Sequence, residues 1–167
     1  MTHSEDPRSG RRLATASMLA TVSVVVWLCG NVYEESVVVP NFVFGDVRAS
    51  MLAFRAFFHA SNPALFYAPL GPLVIAGSVA TVIKSWRDPA RRRMALGAAT
   101  CVIVAVLLTA WIVVRVNLRL FFGPVMTDLV EARSLARQWL VLNAMRIGLS
   151  VIAIVSLRRL RATLPRP

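Results

Sequence analysis

Acidic residues are scarce in this chain. Eight aspartates and glutamates stand against nineteen lysines and arginines in 167 residues, and charged residues make up only 16%. Soluble domains average about 25% charged residues, so this chain has too little charge to clothe a water-facing surface. Two cysteines and two histidines leave no set for a four-cysteine or three-histidine metal centre, and neither a metal nor another cofactor is expected. What the chain has in abundance is hydrocarbon: 57% of residues are hydrophobic and the mean hydropathy is +0.64. A bilayer crossing takes about 20 apolar residues, and four such runs are present, over 13–33, 64–83, 94–114 and 139–157. Backbone groups in lipid must be satisfied within their own segment, which makes these runs helices. The expected fold is all-α: a single domain, a four-transmembrane-helix bundle with amphipathic helical outer loops.

The first run follows Arg8, Arg11 and Arg12 and so has the outline of a secretion signal. It is long for one and no small-x-small cleavage site follows it, so a retained helix is expected. Pro69, Gly71 and Pro72 near the start of the second run predict a kinked first turn. Basic residues fix the orientation. Twelve lie in the N-terminal tail, the 84–93 loop and the C-terminal tail, and six lie in the other two connections. Both termini should be cytoplasmic, in the plasma (inner) membrane. The net charge of +11 is then a topology signal and an attraction to anionic lipid, with no nucleic acid as partner. Cys29 and Cys101 should lie roughly 14 Å apart along the membrane normal, beyond the about 7 Å that a disulfide allows.

The two outer connections, 34–63 and 115–138, are long for plain linkers. In 48–60, Arg48, Arg55 and His59 fall on one face and Met51, Phe54, Phe57 and Phe58 on another, which predicts an amphipathic helix on the membrane surface. A second short helix is expected over 126–138, with Asp128 and Glu131 toward its start and Arg133 and Arg137 toward its end, as the helix dipole favours.

Polar residues also enter the outer half of the membrane. Asn31, Glu34 and Glu35 end the first span, Arg115 and Arg119 leave the third, and Asn143, Arg146 and Ser150 form a stripe at i, i+3 and i+7 of the fourth. Arg146 is roughly 10 Å deep. An arginine at the bilayer centre costs about 2.5–3.5 kcal/mol, which predicts a partner, Glu34 or Glu35. These residues predict an outward-facing polar cavity lined by Asn31, Glu34, His59, Asn143 and Arg146. His59 or Glu34 is a candidate proton acceptor and Arg146 a candidate holder of an oxyanion. Asn31, Tyr33, Asn143 and Arg115 are candidate substrate contacts. Tyr33 and Tyr67 are either interfacial anchors or donors to a bound ligand. A cavity used for catalysis would be walled by Phe66 or Trp111.

Several short motifs carry a resemblance. Asn31-Val32-Tyr33-Glu34 ends the first span and Pro40 follows; His59 and Asn62-Pro63 precede the second span; Asn117 follows the third; Trp139-x-x-x-Asn143-x-x-Arg146 marks the fourth. In this order they resemble the anthrone-oxygenase-like family, small four-helix membrane proteins long filed as a domain of unknown function. The resemblance implies oxidation of a polyketide anthrone to an anthraquinone with dioxygen, without an established metal or flavin. Two readings follow. One is a cofactor-independent oxygenase whose hydrophobic small-molecule substrate comes from the membrane lipid. The other is a non-catalytic membrane subunit, in a homo-oligomer or with a partner membrane subunit, whose polar cluster is a structural ion-pair network. No internal repeat of the transporter kind is visible.

Overall fold

The computed structural model describes residues 7–58 and 63–164, and they are helical nearly throughout. Helix α1 runs Pro7–Tyr33 and continues without a break through wide π-helical turns at Glu34–Val38 into α2, Val39–Val43. The wide turns directly precede Pro40, which has no N–H for the turn before it and whose ring crowds the carbonyl there. Widening the helix absorbs both problems. Helix α3 spans Val47–Phe57 and α4 spans Pro63–Ser85, unbroken through Pro69 and Pro72. Helix α5, Pro89–Ile112, also runs on into π-helical turns, at Val113–Phe122, and α6 covers Leu129–Ala162. Three starts are marked by the same residue. Asp46, Asp88 and Asp128 each accept from the second and third backbone amides of the helix that follows, at 2.9–3.1 Å, satisfying donors that have no partner within the helix.

Four helices are long and apolar enough to cross a membrane: Gly10–Val43, Leu65–Ser85, Pro89–Phe122 and Leu129–Ala162. They form a closed ring in which α1 meets α4, α4 meets α5, α5 meets α6, and α6 returns to α1. Three of them are 34 residues long, about 50 Å at 1.5 Å per residue, some 20 Å more than the hydrocarbon layer. The surplus corrects the reading of the outer connections. Residues 126–138 hold no separate short helix, because from Leu129 onward they are the first turns of α6. Much of 34–63 and 115–138 is the continuation of spanning helices. Part of the apolar face of α3 packs on the protein itself, while Leu52 and Phe57 stay exposed. Val47 and Met51 are buried in a core shared with Val39, Phe42, Ile112, Val116, Leu120, Phe121, Ala136 and Trp139, and the Arg55 guanidinium donates to the Leu120 carbonyl at 3.2 Å. The extended helix ends and α3 thus form an aromatic cap over the end of the bundle away from Pro7 and Ala162. Phe121 is its hub, stacked on Phe54 at 4.1 Å between ring centres and set edge-on to Phe42 at 5.3 Å and Trp139 at 5.4 Å.

The core between the spanning helices is built differently, from Ala20, Val24, Trp27, Val74, Ala98, Val102, Ala153 and Leu157. Small residues let backbones approach. At Gly77 of α4 a Cβ would lie 3.0 Å from the Ala20 Cα of α1. Cys29 and Cys101 are both free thiols, as their depths predict.

Candidate functional site

The stripe on α6 faces inward, with Asn143, Arg146 and Ser150 all buried and Arg146 only 2% exposed. The Ser150 hydroxyl donates to the Arg146 carbonyl at 2.8 Å. Arg146 lies at the centre of a network that joins three spanning helices. From NH2 it donates to Glu34 Oε2 at 2.8 Å, a buried ion pair between α6 and the end of α1. Nε donates to Asn143 Oδ1 at 3.1 Å, and NH2 reaches the same oxygen. NH1 donates to Thr109 Oγ1 of α5 at 3.0 Å, and that hydroxyl donates in turn to the Ala105 carbonyl at 2.9 Å. A guanidinium has five N–H groups. Four are engaged here, which leaves one hydrogen on NH1.

Asn143 ties in the second acid. Its amide donates to the Asn31 carbonyl and to Glu35 Oε2, both at 2.9 Å. Two consecutive acids therefore reach the same helix, Glu34 through Arg146 and Glu35 through Asn143. In an ordinary helix neighbours point about 100° apart; the wide turns that begin at Glu34 relax that angle.

A cavity of about 260 Å³ opens beside the ion pair. Its polar lining comes from Trp27, Glu34, Tyr67, Thr109, Asn117 and Arg146. Tyr67 holds its place through α1. Its ring is edge-on to Trp27 at 5.2 Å, and the Arg146 Cζ lies 5.9 Å from the ring centre. Gly30 makes room for it, since a Cβ there would stand 2.7 Å from the Tyr67 hydroxyl.

Four of the residues expected from the sequence are brought together, Asn31, Glu34, Asn143 and Arg146, but of these only Glu34 and Arg146 border the cavity. Asn31 contributes its backbone carbonyl, and its buried side-chain amide has no partner among the described residues. Glu34, rather than Glu35, takes the arginine. Tyr33 is 57% exposed and Arg115 is also exposed, and neither lines the cavity. His59 and Asn62 lie outside the described residues. Phe66 and Trp111 face outward instead of walling the cavity. The residues that do wall it, Trp27 and Thr109, were missed. Trp27 sits one heptad before Glu34, on the same helix face, and Thr109 is an isolated hydroxyl in an apolar run; both signals were present but weak.

Comparison with known proteins gives one finding. A family model described as anthrone oxygenase matches residues 54–156, more than half of the chain, taking in Tyr67, Thr109, Asn117, Asn143 and Arg146 but not Glu34. Searches of curated proteins and of solved structures give no match.

Proposed function

The chain belongs to the anthrone oxygenase family, and from that premise we propose that it is a small membrane oxygenase acting on a hydrophobic aromatic substrate in the cavity beside Glu34 and Arg146. The observation that carries this reading is a buried carboxylate and a buried guanidinium bordering one cavity, 2.8 Å apart. An activated C–H conjugated through the ring with a carbonyl gives its proton to Glu34, and the charge moves onto the substrate oxygen. That oxyanion is held by the remaining Arg146 N–H, with the Tyr67 hydroxyl as a second donor. The negative charge passes from one partner of the guanidinium to another, so no net charge appears in a medium of low dielectric, where it would be expensive. The electron-rich carbanion reacts with dioxygen to form a carbon–oxygen bond and, after protonation, a hydroperoxide. Loss of water from the hydroperoxide leaves a ketone. One CH₂ and one O₂ become one C=O and one H₂O, and dioxygen is the only oxidant.

The distribution of basic residues supports the plasma (inner) membrane with both termini in the cytoplasm, which puts the cavity in the outer half of the bilayer. The second reading has its own observation: four of the five Arg146 N–H groups are engaged within the protein. On that reading the network is a structural clamp in a membrane subunit. The test measures oxygen uptake and quinone formation from an anthrone by purified protein. The oxygenase reading expects wild type to exceed the uncatalysed rate, and Glu34→Gln and Arg146→Gln to lose at least about 100-fold, the scale of a general base or an oxyanion donor. A His59→Ala variant with the Glu34→Gln defect would move the proton acceptor to His59. Wild type at the uncatalysed rate leaves the clamp.

A further inference from the structure

Three buried polar groups line the cavity beyond the ion pair: Trp27 Nε1 and Asn117 Oδ1 have no hydrogen-bond partner among the described residues, and the Tyr67 hydroxyl is within reach of the Glu34 carboxylate. They come from three helical segments, α1, α4 and the π-helical end of α5. Buried polar groups are paired in the great majority of cases, and leaving them unpaired within hydrocarbon is costly. Trp27 can only donate, Asn117 Oδ1 can only accept, and the tyrosine hydroxyl can do either. Together they describe the polar outline of an occupant: an oxygen acceptor on one side and an O–H or N–H donor on the other.

The way in is marked by side-chain size. Ala68 of α4 and Ala110 of α5 both line the cavity and are both exposed. Their neighbours on the same outer faces, Leu65 on α4 and Leu107 and Trp111 on α5, are exposed too. Those faces lie within the spans, so the surroundings there are lipid. Ala68 is three residues inside Leu65, which sets the gap about 5 Å from that end of the α4 span. We propose that the cavity is loaded sideways from the outer leaflet, through the gap between Ala68 and Ala110, by a neutral flat molecule whose oxygen meets Trp27 and Tyr67 and whose hydroxyl meets Asn117. This rests on the reading of the cavity as the substrate site, and adds to it the route and the residues that set polarity.

The test uses 2-hydroxyanthraquinone as the probe at mildly acidic pH, with anthracene as the apolar ring of the same outline. Binding is followed by stopped-flow quenching of tryptophan fluorescence in nanodiscs, with protein-free discs subtracted. Wild type should bind the probe at least tenfold more tightly than anthracene. Asn117→Leu should remove about tenfold from the probe and leave anthracene unchanged, as loss of one hydrogen bond in a dry site does. Ala68→Phe combined with Ala110→Phe should slow association tenfold or more, and by the same factor for anthracene as for the probe. A plug in a portal delays every entrant alike, whereas a change in the polar site separates the two. Should the double variant not fold, Ala110→Phe alone carries the same expectation at smaller size. Equal binding of anthracene and the probe overturns the polar outline, and unaltered rates in the plugged protein overturn the route. Probe binding without oxygen uptake leaves this inference standing and removes the oxygenase. Oxygen uptake by a protein whose plugged form is unimpaired in both rate and binding does the reverse.

Discussion

The aromatic cap and the membrane core of this protein solve the same packing problem with opposite materials. The cap is aromatic and aliphatic: Phe42, Phe54, Phe121 and Trp139 bury large side chains against one another. The membrane core leans on alanine and glycine at its helix contacts, and its most costly element is a charged network around Arg146. Water drives the first arrangement, since each buried aromatic leaves a cohesive solvent. Lipid cannot drive the second, because hydrocarbon outside is as apolar as hydrocarbon inside. Helices there associate through close backbone approach and polar bonds.

The contrast can be tested at three places, in order of expected effect. Arg146→Leu strands Glu34 without its partner, and loss of one member of a buried pair costs about 3–5 kcal/mol. The melting temperature in detergent should fall sharply, and Arg146→Leu with Glu34→Leu should recover part of the loss. Equal damage from the single and double changes would mean that the two side chains are not coupled. Phe121→Ala removes the hub of the cap and should cost about 3 kcal/mol. Because its contribution is water-driven, deuterium exchange should rise first in α3 and the start of α6, with α4 unchanged. If exchange rises equally in α4, cap and membrane core are one cooperative unit and the comparison fails. Gly77→Ala pushes a methyl group toward the Ala20 backbone and should cost about 1–2 kcal/mol by overpacking. Ala20→Gly should relieve part of that cost only if the Ala20 Cβ, 3.3 Å from the new methyl group, is what resists. Denaturation of each variant decides it.

How much of this was legible in the sequence differs by region, for physical reasons. The four crossings were plain, because twenty apolar residues in a row have few other uses. The pairing of Arg146 with an acid on the first helix followed from depth alone. The cap was not legible. After Tyr33 the run Glu34-Glu35-Ser36 and then Pro40 reads as the end of a helix by both hydropathy and proline chemistry, yet π-helical turns carry the helix through to Val43. The burial of Val47 and Met51 of α3 was hidden for the same reason, since their partner surface was invisible without the overrun of α1 and α5. Two tyrosines near one interface looked equivalent; only the room left by Gly30 separates Tyr67, over the cavity, from Tyr33, outside. Trp27 and Thr109 were hidden because inside an apolar run they look like filler. The acids were the better guide. All six described carboxylates are engaged, three as helix caps, two in the Arg146 network and Glu131 with Arg119.

Among the described residues, helix α4 contributes nothing to the aromatic cap and packs mainly on α1 and α5. It is a short stave, 23 residues, in a barrel whose other staves are bound together at the rim. Parting α4 from α5 near Ala68 and Ala110, away from the core that holds Val74 and Val102, leaves the rim intact. Breathing at that seam is therefore insulated from the durability of the whole, and substitutions along the seam can retune how fast molecules pass without loosening the rest of the molecule.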